Sequence, residues 1–439
     1  MPENIIKLPC SAHRINLCVN DLFKIVNIGK NNNVFSIYDY NEHDELRKVE
    51  IDEECKTKIE KVNRIKESLN IILAKCKRLV SSFSHSESLV RQLKEKQNEL
   101  DFQRKIKLVQ SVPTRWNSIF DMIESIIINK EALISLSFDR ENSILKKNLP
   151  NECEFNILNE LCLLLQPLKE TSIVFSGSMY NTVSLLYPSI HYLINTCFNE
   201  IELKNELIVS LRDTLIESLR KRFRFVFSTD LFAAASFLNY NYRKFEFIHD
   251  SRERRNVLDK AKQYIINYHN VEQSTSFNSA EPVFSSSPLT NITNSSQNVC
   301  ALTNISSSSS NSSFSSLISK QKKPSFLSKI ADKASNLIVS TNVSDIETEI
   351  INYQDNLFKI ENNIEDEIDS CLSFYKINQN HFPLLTKIAK NIFCIPITSV
   401  PVEGLFSQSG LTMTDLRTRM TAKNLKACVF YKTNKKYFF

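Results

Sequence analysis

Cys10 and His13 have the spacing of half a zinc site, and they are the first residues that could do metal chemistry. A structural zinc ion needs four ligands, and no second Cys/His pair with suitable spacing follows. The sequence has 11 cysteines and no CxxC pair. The start of the chain does not have the pattern of a signal peptide, so the thiols are expected to be reduced inside the cell. The sequence therefore predicts no metal site.

Glycine is scarce, and this limits the chemistry further. The chain has four glycines, and none belongs to GxGxxG, GxxxxGK[ST] or GxSxG. A loop that cradles phosphate needs close glycines so that backbone N–H groups can approach the ligand. P-loop ATPases, kinases, classical dehydrogenases and α/β-hydrolases are poor candidates. We expect no cofactor and no small-molecule substrate.

Positive charge is concentrated at the end of the chain. The formal net charge is +6, and residues 416–439 contain no acid. The basic residues of this tail are Arg417, Arg419, Lys423, Lys426, Lys432, Lys435 and Lys436. Such a block suits contacts with DNA phosphates, and the alternative is a solvated helix face.

The apolar pattern favours helices that would position these residues. Residues 56–80 form one apolar stripe at helical spacing, and a second helix is expected over 87–99. Residues 106–112 alternate like a short strand, and helix resumes from Ser118. We expect a helical bundle over 155–247, with breaks at Pro167, near Gly177 and at Pro188.

Composition changes sharply after the bundle. Half of residues 281–320 are serine or asparagine, and only Glu281 and Lys320 are charged. Such a segment cannot bury enough apolar surface to offset its ordering entropy, so we expect a disordered linker. One or two helices are expected over 326–375. No uncharged apolar run approaches 18 residues, and no membrane partner is expected.

Three segments, in order, resemble the hAT-superfamily transposases and their relatives that carry BED zinc fingers. Residues 10–21, CSAHRINLCVND, resemble the family's C-x-A-H-x-L-N-L-x-V-x-D signature. Residues 112–118, VPTRWNS, are similar to the T-R-W-N-S motif before the family's helical insertion domain. Residues 395–407, IPITSVPVEGLFS, resemble the core of the C-terminal dimerisation region.

The resemblance implies a mainly α-helical fold, a remnant of a ribonuclease-H-like α/β core with a large all-helical insertion domain. The expected units are a partial core with a helical hairpin at 1–117 and the insertion domain at 118–270. A disordered linker at 271–325 and the dimerisation region at 326–439 follow. The first strands of the core are missing, so only short strands near residues 5–18 and 106–112 are expected.

Glu403 aligns with the third acid of the family's Asp-Asp-Glu triad, which holds two divalent ions. The family's aspartates precede the C-x-A-H segment, and here only Glu3 lies upstream of it. The family's arginine after the glutamate is Gly404, and Ser111 replaces an aspartate that often precedes the V-P-T-R-W motif. We expect Glu403 to be a remnant in a catalytically inactive protein, with magnesium bound only if an upstream segment restores the triad.

The resemblance also implies DNA contacts at His13, Arg115 and Trp116, and the basic tail adds Arg417 and Arg419. Trp116 would stack on an extruded base, an interaction of about 1–3 kcal/mol. The alternatives are a structural histidine and a core tryptophan at a domain seam.

A homodimer in the nucleus is the expected state, with DNA as a further partner. The dimerisation residues share apolar character and lie in the third motif block: Leu384, Leu385, Ile388, Ile392, Phe393, Leu405 and Phe406. Two alternatives stay open. One is an active hAT transposase whose start lies upstream, and the other is a non-enzymatic helical scaffold.

Overall fold

The computed structural model describes residues 8–31, 34–40, 46–112, 116–139, 142–177, 180–277, 345–355, 370–413 and 420–435. These residues are mainly helical, as expected, and they include one small sheet. Among the described helices, none is long and apolar enough to cross a membrane. Most of the expected linker at 271–325 lies outside the described residues.

The N-terminal motif folds as a helix, so the strand expected near residues 5–18 is wrong for its described part. Helix α1 spans Ser11–Phe23 and buries Ile15, Cys18 and Leu22. These residues recur at three- and four-residue spacing, which matches the period of a helix and not that of a strand.

An antiparallel sheet follows α1, and the sequence analysis did not anticipate it. Its strands are β1 (Gly29–Asn31), β2 (Val34–Tyr40) and β3 (Leu46–Ile51), in the order β1-β2-β3. Phe35 anchors one face, because Lys56 of the next helix lies 4.2 Å from its ring centroid. Asp39 on β2 also forms an ion pair with Lys221.

The two helices expected next are confirmed. Helix α2 spans Glu53–Ser84, beyond both ends of the expected 56–80, and α3 spans Glu87–Glu99. The Asp52 carboxylate accepts a hydrogen bond from the Cys55 backbone N–H at 2.7 Å, which caps the first turn of α2. Ser86 caps α3 in the same way through the N–H of Leu89.

Residues 106–112 do not form a strand, which corrects the expectation from their alternating pattern. A strand needs a backbone partner, and side chains bond this segment instead. Gln97 donates to the Ile106 carbonyl at 2.8 Å, and the Val109 N–H donates to Ser125 Oγ at 3.0 Å. The segment is therefore held on the two helices that flank it in sequence, α3 and α4 (Asn117–Ile128).

A helical bundle occupies the centre of the chain. Its helices are α4 (Asn117–Ile128), α5 (Lys130–Ser137), α6 (Ser143–Asn148), α7 (Glu152–Phe175), α8 (Val183–Tyr192), α9 (Phe198–Glu200), α10 (Glu206–Arg222), α11 (Arg224–Ser228), α12 (Asp230–Leu238) and α13 (Ser251–Phe277). A π-helical turn at Leu193–Cys197 joins α8 to α9. Helix α13 continues past the domain boundary expected at residue 270.

Two of the expected breaks in the bundle are wrong. Pro167 lies inside α7 and Pro188 lies inside α8, whereas α7 does end just before Gly177. Pro188 cannot donate to the carbonyl four residues earlier, that of Ser184. The Ser236 hydroxyl of α12 donates to that carbonyl at 3.1 Å, so the neighbouring helix compensates for the missing bond.

The C-terminal part has five described helices: α14 (Ile346–Asp355), α15 (Ser370–Asn378), α16 (Pro383–Phe393), α17 (Val400–Thr412) and α18 (Ala422–Asn434). Helix α16 packs against α8, α12, α13 and α14. Helices α17 and α18 pack mainly against each other and form a hairpin, which we call the arm. The arm and α16 differ in how they use their apolar side chains.

Candidate functional site

The first and third motifs meet in space although nearly 390 residues separate them in sequence. The Ser11 backbone N–H donates to the Ile397 carbonyl at 2.8 Å. Cys10 Sγ lies 3.4 Å from Thr398 Oγ1 and accepts a hydrogen bond from the Ser399 N–H at 3.3 Å. The first turns of α1 and α17 thus meet at one junction, which consists of residues 10–11 and 397–399.

The chemistry of the junction favours a negative charge on Cys10. Partial burial raises the pKa of this thiol, but hydrogen bonds from Ser399, Thr398 and His13 outweigh that effect and leave the pKa below its ordinary value of 9.0. The position at the N-cap of α1 acts in the same direction, because helix N-termini favour anions. Buried Cys18, about two turns of α1 further from the junction, has a pKa raised to about 12 by desolvation.

An ion pair fastens α1 to the bundle beneath the junction. Asp21, the last residue of the first motif, accepts two hydrogen bonds from Arg222, from Nε at 2.9 Å and from Nη2 at 3.0 Å. Arg14 lies over the Phe225 ring at 5.0 Å and donates to the Arg222 carbonyl. The motif's acid therefore has an intramolecular structural partner.

His13 and Glu403 are both exposed at the first turns of the two helices that meet at the junction. The Ser399 hydroxyl donates to Glu403 Oε1 at 2.6 Å, which closes the first turn of α17. In the part of the chain that the structure describes, no group of three His, Cys, Asp or Glu side chains could hold a metal ion. Glu403 and its described neighbours therefore do not fit a two-metal site.

Trp116 lies at the N-terminus of α4 and is only 5 % exposed. As placed, its ring belongs to the core that contains Phe120 and Ile123, and it offers no face for a base. This placement corresponds to the alternative role of a core tryptophan. Arg115, Arg417 and Arg419 lie outside the described residues.

The apolar residues of α16, which the sequence analysis expected at a dimer interface, lie instead in the core of the chain. Leu385 and Ile388 are fully buried within the chain, and Ile392 and Phe393 are nearly so. Leu384 is partly buried against the same core. The Glu349 carboxylate of α14 accepts hydrogen bonds from the Leu384 and Leu385 backbone N–H groups, at 3.1 and 2.8 Å. A second copy cannot reach this face unless α16 detaches.

The arm presents the opposite arrangement. Of the expected dimerisation residues, Leu405 and Phe406 remain exposed, and the exposed fraction of Phe406 is 72 %. Further large apolar side chains of the arm are also exposed: Val402, Leu411, Met413, Phe430 and Tyr431. Helix α18 has no buried residue among those described, and Lys432 Nζ donates a hydrogen bond to Thr412 Oγ1 at the end of α17, at 3.1 Å.

Sequence reasoning missed the junction and the additional apolar residues of the arm. Motif order places residues 10–11 and 397–399 in separate segments and gives no signal that they touch. The apolar residues of α18 were readable in part, since Phe430 and Tyr431 lie in a helix that also contains Leu425 and Val429. The sequence analysis used only the basic residues of that tail, as candidates for contacts with DNA phosphates.

Comparisons with known proteins agree with this division of the chain. Residues 352–434 match the hAT family C-terminal dimerisation region, which here covers α15 to α18. Residues 8–164 match the ZBED1 RNase-like helical domain. The human zinc finger BED domain-containing protein 4 is 26 % identical over 128 residues, which make up 28 % of this chain and 10 % of that protein. The matched stretch spans about a tenth of that relative.

The two family matches carry the motifs that bracket the junction, residues 10–21 and 395–407. The chain belongs to the proteins derived from hAT-family transposases.

Proposed function

We propose that this protein is a catalytically inactive, transposase-derived protein that dimerises through the arm, α17 and α18. The observation that carries the proposal is the exposure of Phe406, Leu411 and Phe430, at 72, 74 and 60 %, within the matched dimerisation region. Several large exposed apolar side chains on one helical hairpin are typical of an interaction surface. Burying each large side chain contributes about 1.5–3 kcal/mol, enough for micromolar dimers after association costs.

Sedimentation equilibrium of the full chain tests the arm. The wild type is expected to self-associate at tens of micromolar, and the double variant Leu405→Asp/Phe406→Asp is expected to lose most of that association. A matched control is Phe138→Asp/Ile144→Asp, because these residues of the α5–α6 region are 80 and 62 % exposed but lie outside the arm. A monomeric wild type, or a control as impaired as the arm variant, would contradict the proposal.

A second activity, DNA binding without sequence preference, is proposed for the same arm. The described lysines of α18 and its C-terminal end are all exposed: Lys423, Lys426, Lys432 and Lys435. Residues 416–439 contain no acid, so phosphate contacts meet no nearby repulsion from this segment. Dimerisation would place two such basic surfaces on one assembly.

Salt dependence tests the DNA proposal. Lys423→Gln/Lys426→Gln should reduce the slope of log K against log salt by about two, since each lost phosphate contact removes about 0.9 from it. The control variant Glu347→Gln, at an exposed position of α14 outside the arm, should leave the slope unchanged. A protein that makes several phosphate contacts loses about 10³-fold or more in DNA affinity when the salt concentration rises from about 50 to 200 mM. A DNA affinity that did not fall over this range would exclude binding through phosphates.

The proposed lack of catalysis rests on Glu403, which belongs to no group of three or more described His, Cys, Asp or Glu side chains that could hold a metal ion. The full chain with magnesium or manganese should not nick or join DNA with transposon ends. Metal-dependent cleavage that vanished in Glu403→Gln would support the alternative, an active transposase.

We further propose that the protein resides in the nucleus, where a DNA-binding transposase derivative would act. Imaging of the tagged full chain tests this.

The finer structural proposal is that the N-terminal part derives from a ribonuclease-H-like core. The match of residues 8–164 to an RNase-like helical domain supports it. So does the extended stretch 106–112, whose alternating pattern suits a strand although it lies on helices here. An experimental structure in which this stretch paired with a strand of an upstream segment would bear this out.

A further inference from the structure

Strand β3 is an edge strand with an exposed outer side. In the order β1-β2-β3, it pairs with β2 on one side, and no described strand pairs with it on the other. Residues 47–50 are all exposed, and Val49 is exposed by 42 %. An edge of this kind presents backbone N–H and C=O groups that can pair with another strand.

The register within the sheet determines which face each β3 side chain occupies. Arg47 and Val49 lie opposite Asp39 and Ile37 of β2. That face meets the helices, since Asp39 forms an ion pair with Lys221 of α10. Residues alternate between faces along a strand, so Lys48 and Glu50 share the face turned away from α10.

We propose that two copies of the chain pair their β3 strands antiparallel about a two-fold axis through Val49. The contact would extend each three-stranded sheet into one continuous sheet of the two copies. It uses a surface that the arm does not contribute to. A chain with both two-fold contacts would assemble beyond a dimer.

Charge complementarity selects this register. Residues directly opposite each other on antiparallel strands point to the same face of the sheet. In a symmetric pair of β3 strands, the two-fold axis must therefore pass between the two copies of one residue, which lie opposite each other. An axis through Val49 places Lys48 opposite Glu50 of the second copy, and the symmetry makes this pair twice. An axis through Arg47, Lys48 or Glu50 would instead place that residue opposite its own like charge. The Val49 register is the one among these that avoids repulsion.

The same arrangement explains how β3 can carry positive charge and still pair with a copy of itself. Lysine on an edge strand ordinarily repels a second strand. Here Glu50 follows two residues after Lys48, on the same face, and offsets the lysine of the second copy. Arg47 would lie opposite Ile51 of that copy, where its stem can cover an apolar side chain.

A charge swap in the arm-deficient background Leu405→Asp/Phe406→Asp tests the proposal by sedimentation velocity. Lys48→Glu or Glu50→Lys alone creates two like-charge pairs and should weaken the remaining association about tenfold. The double variant Lys48→Glu/Glu50→Lys restores two opposite-charge pairs and should recover it. Circular dichroism of each variant verifies the fold. A double variant as weak as the singles would overturn the proposal.

Cross-linking tests the axis directly in the otherwise wild-type chain. In Val49→Cys, two copies of the new thiol should meet at the axis and form a disulfide identified by peptide mass spectrometry. The matched control is Val34→Cys, which is exposed by 41 % on the same sheet but lies away from the proposed axis. A yield at position 49 no higher than at position 34 would overturn the proposal. A failure of the arm proposal would appear separately, as unchanged association of the arm variant.

Discussion

Helix α16 and the arm belong to the same matched region, 352–434, and both are rich in large apolar residues. Ile388 of α16 is fully buried, whereas Phe406 of the arm is 72 % exposed. Only the short connection 394–399 separates α16 from the first helix of the arm. An apolar residue in a dimerisation region is therefore not necessarily an interface residue.

The difference arises from what surrounds each helix. Helix α16 is enclosed by α8, α12, α13 and α14, and Glu349 binds the N–H groups at its start. On its outer side, Glu272 of α13 contacts Lys387 at 3.0 Å and Asn391 at 2.7 Å. The arm has the junction at its base and its own partner helix, and large apolar side chains such as Phe406 and Leu411 stay exposed on it.

The largest expected effect comes from truncating the buried helix. Ile388→Ala should lower the free energy of unfolding by about 2–5 kcal/mol, because it leaves a cavity in a closed core. Phe406→Ala should change it by less than about 0.5 kcal/mol, as for an exposed side chain. Urea denaturation followed by circular dichroism, at a concentration where the protein is monomeric, measures both. Equal losses for the two variants would remove the distinction between α16 and the arm.

A smaller effect is expected from the carboxylate that caps α16. Glu349 is 1 % exposed and accepts two backbone hydrogen bonds, so Glu349→Gln exchanges one acceptor for a donor that faces an N–H group. We expect a loss of about 1.5–3 kcal/mol, the range for hydrogen bonds to charged groups. Glu347→Gln, two residues earlier and exposed, is the control. If both substitutions had the same small effect, the cap would not anchor α16.

The smallest effect concerns the junction at the base of the arm. The pKa of Cys10 lies below its ordinary value of 9.0 because its hydrogen bonds outweigh desolvation, whereas burial raises the pKa of Cys18 to about 12. Thiolate is the reactive form, so alkylation of Cys10 should proceed at a pH where Cys18 is still protected. Peptide mass spectrometry after timed labelling, from pH 7 upward, measures this. Removing the bond with Thr398→Val should shift the labelling of Cys10 toward higher pH.

The helical elements were largely readable from local pattern. The stripe over 56–80 and the pattern of 87–99 predicted α2 and α3, because a helix satisfies its own backbone and leaves only its apolar face to the tertiary fold. The motif blocks also predicted the family, which the matches at 8–164 and 352–434 confirm. Strands were predicted poorly. Residues 106–112 have a strand pattern and no described strand partner, whereas 29–31, 34–40 and 46–51 form a sheet that no strong alternation signalled.

By itself, the amino-acid sequence determined the helical class and the family. The tertiary structure alone decided which apolar faces are covered, since Leu385 and Leu405 look equivalent in sequence but only Leu385 is enclosed by other helices. It also decided that Cys10 meets Thr398 and that Pro188 can lie inside a helix, because Ser236 bonds the carbonyl that the proline leaves open. Burial and long-range hydrogen bonds depend on which distant segments meet, and local pattern carries no information about that meeting.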